Sequence, residues 1–425
     1  MANHDPLNNL LLTMDTLFIV DDSFPLSRLS TKTGDNLGFV LYSDNSGFIE
    51  DIKDFCEKNY IQCRFFFPSN EINRIASEKK QEYIHFIDSL GHKPLNKKGR
   101  TLSESLFSKS IGESLWWFSA IHEKNTTGFP SFHLFCFLEY LSHLIDELKF
   151  SEIHIHVSLR NNGRLILNHV KSRLDSQIRL GWSIKHNLKN IKMYFGLLYG
   201  VFILIRRKRL IQKRLGKRSP SFAAKHLYFL YYPFIDKDKA ESKYIKSNYL
   251  KDYQEELETQ RTIFIGTFVG DEISGYKEFL EFLANSRNLH HHYLVEELIS
   301  WPVLIRLFLY MLIIQLKVLF LWRKVRAVKF YDINVASLLK KEFLRSFFDT
   351  KIFHTLLIYN SLGSFKDDSV ESIYYIFENF GWERMLCLAA RKKIPGSQVI
   401  AYQHCPFGVL SAFFSGFISP PPSQT

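Results

Sequence analysis

Residues 377–404, FENFGWERMLCLAARKKIPGSQVIAYQH, read as a helix followed by a strand. Trp382, Met385, Leu386 and Ala389 recur at the spacing of a helix that packs one face on a sheet. Arg391, Lys392 and Lys393 fall in its last turn, where the helix dipole favours cations. Gly381 marks a break just before it, which puts Glu383 in the first turn, a position where a carboxylate helps a helix without catalytic duty. Glu378 and Asn379 stand ahead of the break, free to aim inward. QVIAYQ is β-prone and ends on Gln403 and His404, which can donate, accept and carry protons.

Similar runs recur along the chain with helical lengths between them. TLFIV, LGFVLYS, CRFFF and EIHIHVSL predict one set of strands; HLYFLYY, TIFIGTF, VKFYDI, HTLLIYN and QVIAYQ predict another. Strands alternating with helices mean an α/β fold with Rossmann-like parallel sheets. RLGKRSPSFAAK reads as a linker, so the expected domains are 1–218, with a basic, membrane-facing C-terminal part, and 225–425, with an amphipathic helical insertion near 299–326.

A length of 425 residues with 46% hydrophobic residues excludes a disordered chain or a small disulfide-stapled scaffold. The five cysteines are scattered without a CxxC spacing, which encodes neither a disulfide framework nor a zinc site and fits a reducing cytosol. The N-terminal apolar stretch lacks a basic leader and runs into Asp21 and Asp22, so no secretion signal is read, and Met14 offers an alternative start.

Charge is concentrated. The formal net charge is +12, yet residues 160–218 carry sixteen Lys and Arg against the single acid Asp175. The cluster Arg206, Arg207, Lys208 and Arg209 follows an uncharged run at residues 193–205, thirteen residues long and too short to span a bilayer. A second apolar stretch, residues 301–326, is long enough but contains Arg306 and Lys317. With Lys324 and Tyr310 these share one helical face, which suits a helix lying in an anionic membrane surface. The alternative is a buried helix whose basic side chains reach out to water. No zinc-finger, RNP-like or basic-zipper pattern supports a nucleic-acid partner.

Ligands of open parallel sheets sit beyond the carboxyl ends of the strands, which nominates Asp21, Asp22, Thr267, Asp332, Asn360, Ser361, Gln403 and His404. Taken singly, such residues more often cap turns. Trp116 and Trp117, with Glu123 and Lys124 after them, could stack a sugar ring, although adjacent tryptophans are more often the core and rim of one helix. Asp236-Lys237-Asp238 matches a metal-chelating DxD by chance as easily as by function, and His290-His291-His292 reads as a solvated tract, so no metal site is assigned. GxGxxG, GxxxxGK[ST], GxSxG and HExxH are absent from the sequence.

The run FENFGWERMLCLAARKK…VIAYQH, with ESLWWFSAIHEKN (residues 113–125) and YIKSNYLKDYQEEL (residues 244–257), resembles the bacterial surface carbohydrate biosynthesis protein family, glycosyltransferases of polysaccharide, lipopolysaccharide or capsule gene clusters. The resemblance implies a glycosyltransferase-B-like, two-lobed architecture at the cytoplasmic face of the inner membrane. His404-Cys405-Pro406 departs from the small residue expected after the histidine. With few residues beyond His404, the last lobe is expected to be missing or incomplete. The function implied is transfer from a nucleotide-sugar to a lipid-linked glycan, with no other cofactor. Glu378 or Glu383 would deprotonate the acceptor hydroxyl and His404 would steady the leaving diphosphate. Asn379, Gln403, Asn360, Ser361, Trp116, Trp117, Glu123 and Lys124 would contact substrate. The alternative is a non-catalytic, membrane-associated assembly protein of the same pathway.

Overall fold

The computed structural model describes residues 14–29, 36–42, 46–95, 99–123, 130–148, 150–157, 160–172, 177–181, 187–220, 223–232, 243–248, 250, 253–268, 273–323, 328–331, 333–365, 369–377 and 380–402. The chain forms two compact units, each assembled from three stretches: Met1–Phe86, Asn125–Ile191 and Arg326–Lys341 in the first, Ile87–Lys124, Lys192–Val325 and Glu342–Thr425 in the second. The boundary read at 218–225 separates the two sheets, while the units themselves interleave along the sequence.

The sheet of the first unit has five parallel strands, β1 (Met14–Val20), β2 (Asn36–Leu41), β3 (Gln62–Phe66), β4 (Phe150–His156) and β5 (Gln177–Gly181), in the order β3-β2-β1-β4-β5. Every residue of β1 except Asp15 is buried, as a central strand covered on both faces requires. Helix α1 (Ser46–Lys58) places Phe48, Ile52 and Cys56 four residues apart against this core. Phe18 and Phe39 stack there with ring centroids 5.2 Å apart. Each such buried ring contributes about 1.5–3 kcal/mol over an exposed one. Helices α2 (Ser69–His92), α3 (Pro130–Glu147) and α4 (Arg160–Lys171) complete the labelled elements up to β5.

In the second unit, α5 (Asn187–Leu215) leads into β6 (His226–Tyr232), β7 (Thr262–Phe268), β8 (His292–Leu294), β9 (Ser372–Ile376) and β10 (Gln398–Tyr402). All neighbours are again parallel, in the order β8-β7-β6-β9-β10. Between β8 and β10 lie α6 (Trp301–Trp322), α7 (Lys351–Ser361) and α8 (Gly381–Lys393). Counted along the chain, both sheets follow the order 3-2-1-4-5. Each therefore has a switch point between its first and fourth strands.

Several expectations need correction. HTLLIYN is the body of helix α7, not a strand: residues 352, 353 and 355–359 are all buried, and a helix buried on every side shows the same continuous apolar run as a buried strand. VKFYDI yields only the two-residue strand Lys329–Phe330, paired antiparallel with Ile333–Asn334 around Tyr331 at a φ of 50°. The fourth strand of the second sheet is SIYYI, which is not among the expected strands, and neither are β5 and β8.

The histidine tract is not solvated throughout. His292 is fully buried in β8, where Nδ1 meets the Tyr232 hydroxyl at 2.6 Å and Nε2 lies 3.3 Å from Gln254 and 3.2 Å from Asn288. Glu258 accepts from Tyr244, Gln254 and Asn288. Burial opposes its charge, but hydrogen bonds from His292, Gln254, Tyr244 and Asn288 outweigh that and hold the carboxyl at about 2. The YIKSNYLKDYQEEL motif thus supplies Tyr244 and Gln254 to a buried polar network around His292 and Glu258. Ahead of β6, Arg218 pins the segment expected as a linker by a bidentate contact with Glu297, at 2.6 and 2.7 Å.

Candidate functional site

Helix α8 starts from the carboxyl end of β9, beside β6, at the switch point of the second sheet. Gly381 is fixed by close approach, since a Cβ there would overlap the carbonyl oxygen of Phe118. Trp382 follows, half-buried, edge-on to Tyr231 at 5.8 Å and Tyr375 at 6.1 Å, and its Nε1–H donates to the Tyr231 hydroxyl at 2.7 Å. Glu383 is buried and its Oε1 accepts the Phe380 backbone N–H at 3.0 Å. It caps its own helix, the structural duty that its place in the first turn allows.

The next residue joins two of the three stretches that carry the family resemblance. Arg384 Nη1 donates to His122 Nδ1 at 2.5 Å, and His122 Nε2 lies 3.1 Å from Asp88 Oδ1. This fixes the neutral tautomer with its proton on Nε2, directed at the carboxylate. Both ring nitrogens are engaged and the ring is buried, so His122 ties three segments of the second unit together. One end of α8 is secured by Lys392, whose Nζ donates to the Ile111 carbonyl at 2.6 Å. His122 lies inside the WWFSAIHEKN motif, between the expected contacts Trp116, Trp117, Glu123 and Lys124.

Trp116 is fully buried against Phe343 at 6.2 Å and offers no face to a sugar. Trp117 is partly exposed and meets His122 edge-on at 4.8 Å. The core-and-rim alternative describes this pair. Asn360 and Ser361 are not at a strand end. Each bonds a carbonyl of its own helix, Asn360 to Leu356 at 2.7 Å and Ser361 to Ile358 at 2.8 Å. Thr267, near the end of β7, meets His354 Nε2 at 3.1 Å; burial, reinforced by Arg207, pushes that imidazole down to about 4. Glu378, Asn379, Gln403, His404, Cys405, Lys124, Lys324, Asp332 and Asp236–Asp238 lie outside the described residues, as does the side chain of Glu123.

The switch point of the first sheet gathers four polar groups. Asp21, buried just past β1, accepts from the Ser23 backbone at 3.0 Å and hydroxyl at 2.6 Å, and its own N–H donates to the His156 carbonyl at 3.2 Å. Asp22 is exposed. His156 closes β4, buried, with Phe24 edge-on at 5.5 Å; burial, then the charge of Arg28, lowers its pKa. Tyr42 accepts from Asn162 at 2.9 Å, and burial raises its phenol to about 12. A carboxylate, a neutral imidazole, a phenol and an amide make a set suited to hydroxyl-rich ligands. His156, at the end of EIHIHVSL, was legible by the strand-end rule and was not nominated.

The basic cluster divides. Arg206 and Arg209 are exposed, but Arg207 and Lys208 are buried and cannot contact a membrane. The Arg207 guanidinium lies over Phe268 and Tyr276 and 3.8 Å from Glu296. Lys208 donates to the carbonyls of Glu296 and Ile299. On α6, Arg306 is exposed, whereas Lys317 is half-buried and its pKa is lowered by burial and then by Arg100.

Among the described residues, no group of three His, Cys, Asp or Glu is placed to hold a metal ion. In comparisons with protein families, curated proteins and solved structures, nothing matches this chain.

Proposed function

We propose that the chain is a two-lobed, glycosyltransferase-B-like enzyme of bacterial surface carbohydrate synthesis, moving a sugar from a nucleotide-sugar to a lipid-linked glycan at the inner membrane surface. The observation that supports this most is the pair of five-stranded parallel sheets with one shared strand order, a topology that takes up nucleotide ligands at its switch points. Helix α8 follows β9 at the switch point of the second sheet, which supports a ligand site beside its start. With Glu383 committed to its cap, Glu378 is the carboxylate left to deprotonate the acceptor hydroxyl, and His404 steadies the leaving diphosphate.

The engagement of Glu383 and His122 in purely structural contacts favours one competing reading, a non-catalytic assembly protein of the same pathway. Thermal unfolding with a panel of uridine, guanosine, thymidine and cytidine sugar nucleotides separates the two. At a hundredfold excess over its Kd, a true donor stabilises the fold by about 2.7 kcal/mol, a shift of several degrees. No shift with any member selects the assembly protein.

A further inference from the structure

Helix α6 is packed on one side only. Leu304, Met311, Ile314 and Val318 are buried in the second unit, while Ile305, Leu309, Ile313, Leu316 and Phe320 point away from it. At 100° per residue those five occupy an arc of about 80°. On α5, Phe195, Leu198, Tyr199 and Phe202 form a second outward stripe, which Arg206, Arg209 and Lys213 continue on the same face. These nine apolar and aromatic side chains are between 45% and 62% exposed, in a unit whose core residues are almost wholly covered.

The two helices meet where α5 ends and α6 begins, and both reach the same turn further along. Near the end of α5, Gln212 reaches the indole of Trp301 at the start of α6, at 3.4 Å. Further along, Gly196 approaches the carbonyl of Phe348 and Gln315 donates to the carbonyl of Phe347, so both helices rest on the same turn. Gly200 permits this, because a Cβ there would overlap the Thr350 side chain. Arg206 and Arg306 each lie about one and a half turns from the Gln212–Trp301 contact along their own helices, and Arg306 edges a shallow groove of about 630 Å³ lined by Ile305 and Leu309. Neither helix contains an Asp or Glu.

We propose that α5 and α6 together form a monotopic docking face for an anionic lipid bilayer, with the apolar stripes sunk below the headgroups and the arginines held at phosphate level. This rests on the membrane-surface part of the reading above and not on the transfer chemistry. The charge pattern selects lipid over a second copy of the chain, which would press one acid-free basic rim against another. Helix α6 is long and apolar enough to cross a bilayer, but its own unit covers one face and Arg306 edges the other, which favours a helix lying in the surface over a spanning one.

Vesicle flotation of the full chain tests this without any sugar substrate. Binding to phosphatidylcholine vesicles containing phosphatidylglycerol is expected to exceed binding to phosphatidylcholine alone, and to fall as salt rises from ~0.1 M to ~1 M and the screening length shrinks from about 10 to about 3 Å. Arg206→Gln with Arg306→Gln should weaken binding about 30-fold. Ile313→Ser with Leu316→Ser, both exposed, should abolish it while circular dichroism and melting stay unchanged. Equal binding to both vesicle types, or binding to neither, overturns the proposal. So does a wild-type dimer that the serine variants dissolve, or membrane retention through both high salt and alkaline carbonate.

Discussion

Arg384 and His122 stand 262 positions apart in sequence and 2.5 Å apart in space, with Asp88 completing the chain on the far side of the imidazole. Removing either partner strands a buried polar group, at a cost of about 1–3 kcal/mol. In a double-mutant cycle with His122→Ala and Arg384→Ala, measured by denaturant unfolding, the coupling is expected at about 0.5–3 kcal/mol. Additivity of the two single losses would mean the contact carries no stability.

Glu383 and Glu378 should part company on substitution. Glu383→Ala removes a helix cap and is expected to lower stability by about 1 kcal/mol or more. Glu378→Gln is expected to stay within about 1 kcal/mol of the parent, while abolishing sugar transfer. Thermal melts beside a transfer assay distinguish the two positions.

Truncation of a fully buried tryptophan to alanine costs about 3–5 kcal/mol, but Trp382 is covered only in part. Its half-burial lowers the expected loss to about 2–3 kcal/mol. Trp382→Phe keeps the edge contacts with Tyr231 and Tyr375 and loses only the indole hydrogen bond, for about 1 kcal/mol. Urea titrations of both variants check the order.

Acid should destabilise the second unit through His354. The unfolded chain takes up this proton at about 6.5, whereas the folded imidazole refuses it until about 4. Stability therefore falls as pH drops through that window, by about 3 kcal/mol if the group acts alone. His354→Gln should flatten the slope of stability against pH between those limits; an unchanged slope would assign the acid sensitivity elsewhere.

The strands legible in the sequence were those whose β-branched and aromatic runs are long and bounded, such as TLFIV and TIFIGTF. SIYYI was passed over because it is short and abuts the stretch that drew attention, although it is the strand between β6 and β10. HTLLIYN misled because burial on all sides erases helical periodicity. The basic cluster could not be divided by charge alone: Arg207 and Lys208 find Phe268, Glu296 and Ile299 only after folding, while Arg206 and Arg209 next to them stay exposed. The same holds for His122, whose partners no local pattern announces.

Sugar transfer itself is the most direct test. Membranes from cells producing the full chain, supplied with radiolabelled sugar nucleotides from the same panel, should carry label into the organic-extractable lipid fraction. Glu378→Gln and His404→Gln, present at parental levels, should lose it. Label that fails to appear with any donor, or that persists in both variants at the parental rate, would contradict a glycosyltransferase acting through these residues.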